Sequence, residues 1–92
     1  MPTYIIERTV PGANTLTAEE LRDISTKSNS VVAGLGEPYR WLHSYVAGDK
    51  LYCVHEAASP DVVRRHAAEG GFPVDSVTKI TSTIGPQTGV AV

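Results

Sequence analysis

Short stretches that alternate apolar and polar residues are separated by two stretches with a helical period, and their order sets the expected fold. Tyr4 to Val10 is rich in β-branched and aromatic residues and stops at Pro11-Gly12, which predicts a first strand closed by a turn. Thr17 and Glu20 have the capping-box spacing that opens a helix. Leu21, Ile24, Ser28, Val31 and Val32 then recur on roughly one helical face, with Gly34 and Gly36 as the stop. Strands are predicted from about Arg40 to Val46 and from Lys50 to Glu56, joined by Gly48-Asp49. Ser59-Pro60 starts a second helix that presents Val62, Val63, His66 and Ala67 and ends at Gly70-Gly71. Alternation from Val77 to Ile84 predicts a fourth strand, followed by a polar tail.

The order βαββαβ points to an α+β ferredoxin-like sandwich, a four-stranded antiparallel sheet with two helices on one face. Right-handed crossovers are expected to place strands one and three in parallel at the centre, with two and four outside. Residues 1–86 are expected to form the single domain and 87–92 a C-terminal tail. An uncovered sheet face carrying Trp, Tyr and Leu is costly in water, so a homodimer closed sheet against sheet is expected.

Composition changes this picture little. The chain of 92 residues is 41% hydrophobic and 20% charged, with a formal net charge of −2. No stripe of Lys and Arg interleaved with aromatics suggests a nucleic-acid partner. No apolar run reaches the ~20 residues of a membrane span. The single Cys fits a reducing compartment, and the N-terminus lacks a signal-peptide layout, so a cytoplasmic location is expected.

Candidate chemistry concentrates in Trp41 to Glu56, which holds the only Trp, the only Cys and two of the three His. A plain hairpin register would pair Ser44 with Cys53. An odd loop or one bulge would pair His43 with Cys53 and Trp41 with His55, and gather His43, Cys53 and His55 on one face. Imidazole and thiolate suit nickel, zinc or copper, and His43, Cys53 and His55, with Glu7 as an oxygen donor, are the expected ligands. The spacing matches no closed zinc motif. The bland alternatives are a buried Cys53 acting as a small hydrophobe, and Trp41, Tyr45 and His66 acting as core or interface side chains. A rival reading is a small cofactor-free dimeric enzyme. In it His43 or His66 serves as general base in an apolar pocket, with Tyr45 or Tyr52 as donor.

The run Trp-x-His-Ser-Tyr-Val-x-x-Asp-Lys-x-Tyr-Cys-Val, Trp41 to Val54, resembles that of small bacterial nickel-binding or nickel-responsive proteins. Glu7-Arg8 in the first strand, His66-Ala67 and Gly71-Phe72-Pro73 are similar too, so the likeness spans roughly Tyr4 to Pro86. The resemblance implies a ferredoxin-like fold, a homodimer and nickel(II) binding, with sequestration as one use. It implies no established reaction. His43 and Cys53 lie inside the matched run, and His55 lies just past it.

Overall fold

The computed structural model describes residues 1–90. Its elements are β1 (Thr3–Thr9), α1 (Ala18–Gly34), β2 (Tyr39–Ala47), β3 (Lys50–Ala57), α2 (Pro60–Gly70) and β4 (Ser76–Lys79), with short 3-10 turns at Ala13–Thr15 and Pro86–Gly89. The sheet order is β2-β3-β1-β4. Together these make the α+β ferredoxin-like fold.

The local signals act as the sequence predicts. Thr17 and Glu20 close the capping box at α1, with the Glu20 amide bonded to Thr17 Oγ1 at 3.1 Å and the Thr17 amide to Glu20 Oε1 at 3.0 Å. Ser59 stands at the N-cap of α2 with Pro60 inside the first turn, although its hydroxyl makes no capping bond. Gly71 ends α2 at φ 70, a left-handed conformation that glycine adopts without steric penalty.

Two expectations need correction. The central strands β1 and β3 run antiparallel, not parallel. The parallel relationship belongs to β1 and β2, the strands joined by the α1 crossover, and the β2–β3 hairpin folds β3 back between them. The fourth strand ends at Lys79 rather than Ile84. Tyr4 pairs with Lys79, and the Ile80 amide still reaches the Thr3 carbonyl at 2.8 Å. The next partner would be Pro2, which has no N–H to donate. The tail expected at 87–92 includes the 3-10 turn, and its last two positions lie outside the described residues.

Alternation sorts the side chains cleanly between the two sheet faces. Tyr4, Ile6 and Arg8 of β1 lie opposite His55, Cys53 and Leu51 of β3. The core builds on this helix-covered face from Tyr4, Ile6, Leu35, Tyr39, Cys53, Ala57, Val62 and Val63. Glu7, His43, Tyr45, Tyr52 and Val54 belong to the opposite face. Glu7 is held there by Lys50, at 3.0 Å. Among the described residues no helix is long and apolar enough to cross a membrane.

Candidate functional site

The hairpin adopts both registers that its sequence allows, one on each side of a bulge. Gly48-Asp49 makes a two-residue turn, so Ala47 pairs with Lys50, Val46 with Leu51 and Ser44 with Cys53. The ladder then slips at Leu42, and Trp41 pairs with His55. One extra residue in a strand reverses the facing of everything beyond it. Trp41 and Ser44 therefore share the inner face, and Trp41 Nε1 donates to Ser44 Oγ at 2.9 Å. His43 is left on the outer face, edge-on to Tyr45 with ring centres 5.2 Å apart.

The expected metal ligands are thus not brought together. Cys53 and His55 are buried on the inner face, whereas His43 and Glu7 lie on the outer one. Glu7 is already engaged by Lys50. Among the described residues no group of three or more His, Cys, Asp or Glu is arranged to hold a metal ion. The residues of the rival enzyme reading divide the same way. His66 is inside, and His43, Tyr45 and Tyr52 are outside.

What the fold does assemble is a cavity of about 240 Å³ between the inner face and the helices. Leu21, Ile24, Ser25 and Ser28 of α1 form one wall, and Trp41, Ser44, Leu51, Cys53 and His55 of the hairpin form the other. Arg8, His66 and Phe72 close the end. The half-buried Leu21 and Ile24 are explained by it, because that part of α1 stands over open space rather than on the sheet.

Two histidines, His55 and His66, pack with two aromatics, Tyr39 and Phe72, at the cavity's end. His66 is stacked between Tyr39, at 5.1 Å between ring centres, and Phe72, at 5.5 Å. His55 meets both Tyr39 and His66 edge-on, at 5.2 and 5.1 Å. The Tyr39 hydroxyl bonds His55 Nδ1, and Ser28 Oγ bonds His66 Nε2 at 3.0 Å. His66 Nδ1 is buried without a hydrogen-bond partner among the described residues. Burial drives the His55 pKa down to about 3, helped by His66 and Arg8. Burial and then Arg8 drive His66 down to about 4. Both rings are therefore neutral at physiological pH.

Arg8 also lines the cavity, although it is not among the ligand or base candidates that the sequence offers. It is 3% exposed and carries a full charge into this apolar surround. Its Nη1 donates to the Pro73 carbonyl at 2.8 Å, and its guanidinium lies 5.5 Å from the centre of the Phe72 ring. Among the described residues no carboxylate pairs with it. The signal was present in the strand pattern, since Arg8 has the same parity as the inward-facing Tyr4 and Ile6.

Among curated proteins none matches this chain. The crystal structure of SCO4226 from Streptomyces coelicolor A3(2) superposes with a TM-score of 0.74 at 17% identity, covering 89% of this chain and 99% of that one. At that identity the likeness concerns the fold. A family model described as "Nickel responsive protein SCO4226-like" matches residues 4–80, which span β1 through β4, and the chain belongs to that SCO4226-like family.

Proposed function

We propose that this protein binds nickel(II) as a homodimer joined through its outer sheet face, with His43 of each protomer as the metal-binding side chain. The metal is cargo or signal rather than a resident cofactor, and sequestration is the simplest use. The family's nickel-responsive description supports the metal. The observation that carries the placement is the split of the imidazoles between the two faces. His43 is exposed and its ring makes no side-chain hydrogen bond among the described residues, while His55 and His66 share their cavity with Arg8. A divalent cation entering that cavity would meet an uncompensated guanidinium in a low-dielectric surround, where charge repulsion is strongest. On the outer face, exposed Leu42 and Tyr45 flank His43, the kind of surface that a second copy would cover. Imidazole is a good nickel donor, and two such rings can meet across a two-fold axis.

The cavity is better suited to binding than to proton transfer. A general base works best when its pKa lies near the operating pH, and rings titrating at about 3 and about 4 are too weakly basic for that.

Native mass spectrometry and calorimetry on untagged protein test the proposal. A dimer that takes up nickel, and loses it in His43→Ala but not in Cys53→Ala or His55→Ala, is the expected outcome. Loss on Cys53→Ala or His55→Ala with His43→Ala intact would move the metal to the inner face. Protein that refuses micromolar nickel altogether would remove the function.

A further inference from the structure

We propose that the cavity beneath α1 is a second binding site, on the opposite side of the sheet from His43, for a small organic carboxylate with an apolar body. The proposal goes beyond the nickel reading and does not rest on it.

Arg8 supplies the reason for an anion. A guanidinium offers five N–H donors in a fixed fork, and a single bond to the Pro73 carbonyl uses only one of them. A buried charge without a partner is costly, and a carboxylate bound through two parallel hydrogen bonds removes that cost while fixing the ligand's orientation. Arg8 lines the cavity, so the ligand's acidic group has a defined end to occupy.

The remaining walls define the rest of the molecule. Leu21, Ile24, Trp41 and Leu51 give an apolar slot. Ser25, Ser28 and Ser44 place neutral hydroxyls around it, and among the described residues no acidic side chain lines it. At about 240 Å³ the space is below the usual range of drug-sized sites, which excludes nucleotides and long acyl chains. One guanidinium with neutral hydroxyls suits a monoanion better than a phosphate dianion, which calls for more cationic donors. His66 Nδ1, buried and unpartnered, adds a polar atom at the same end of the cavity.

Trp41 is the only tryptophan and lines the cavity, so its fluorescence reports occupancy directly. The probes are benzoate, phenylacetate and hexanoate, set against benzyl alcohol and benzamide as neutral counterparts, with calorimetry for stoichiometry. At least one carboxylate should bind once per protomer and perturb Trp41, at least tenfold more tightly than the neutral compounds. Arg8→Gln should weaken it tenfold or more, and Arg8→Lys should restore part of the loss. If Arg8→Gln does not fold, Ile24→Trp fills the slot with Arg8 untouched and should abolish binding, the neutral probes then carrying the test of charge. The proposal is overturned if no carboxylate binds, if the neutral probes bind equally, or if neither folded variant changes the affinity. His43→Ala should leave carboxylate binding intact, so failure of the nickel reading and failure of this one are separately visible.

Discussion

Trp41 stands opposite His55 across the β2–β3 ladder only because Leu42 is skipped. Without that bulge, the register set by the Gly48-Asp49 turn would put Trp41 outside and Leu42 inside. The cavity would then lose one wall, and Trp41 Nε1 would lose its partner Ser44. Deleting Leu42 should therefore leave the fold intact. Trp41 then precedes His43 directly, and the pairs Trp41–His55, His43–Val54 and Ser44–Cys53 become one continuous ladder. We expect a stability change of about 0.5 kcal/mol or less, the range of surface changes that break no core contact. Thermal denaturation followed by Trp41 fluorescence checks it. A collapsed or aggregated deletion variant would show that the extra twist of the bulge is itself required.

The two buried histidines make stability fall on the acid side. Unfolded, each titrates near 6.5. Folded, His55 titrates at about 3 and His66 at about 4. Between these values the unfolded chain binds more protons than the native one, so stability is full above about pH 6.5 and declines as pH falls towards 4. With both rings contributing, the slope near pH 5 approaches two protons' worth. Urea titrations from pH 7 to pH 5 measure it, and His66→Gln should reduce the slope to roughly one proton's worth. A profile flat down to pH 5 would mean that these rings are not buried neutral.

Much of the fold is written in local pattern, and the candidate site is not. The capping residues Thr17 and Glu20, the Gly48-Asp49 turn and the Gly71 helix stop each act through neighbours a few residues away, so reading along the chain finds them. The relation of β1 to β3 needs the topology of the crossover, and the assumption of a parallel pair was wrong for that reason. The grouping of side chains depended on a bulge at Leu42, an exposed leucine with nothing in its identity to mark it. The sequence allowed either hairpin register, and the protein uses both, so reasoning from one register at a time could not assemble the cavity. Arg8 belongs to no charge cluster, and only its inward parity in β1 marks it.

The bond from the Tyr39 hydroxyl to His55 Nδ1 ties the start of β2 to the centre of β3 inside the core. Both residues are buried, and burial pushes the tyrosine pKa up, so the hydroxyl stays protonated. Tyr39→Phe keeps the ring that stacks on His66 but strands His55 Nδ1. The expected loss is about 1–3 kcal/mol, the cost of a buried polar atom left unsatisfied. Chemical denaturation at pH 7 checks the magnitude. A neutral effect would show that water reaches His55 through the cavity.

Gly70 is small because Phe72 lies where its side chain would be. A Cβ built on Gly70 would come within 2.2 Å of the Phe72 ring. That ring stacks on His66 and lies beneath the Arg8 guanidinium, so it cannot shift without disturbing the cavity's rigid end. Gly70→Ala should cost about 1–3 kcal/mol, as overpacking does, even though alanine favours the helix. The size of the penalty should depend on the ring. In a Phe72→Leu background the same substitution meets a smaller, branched side chain, and its cost should fall by at least half, a coupling that a double-mutant cycle measures directly. Equal costs in both backgrounds would place the strain in the helix terminus rather than in the contact with Phe72.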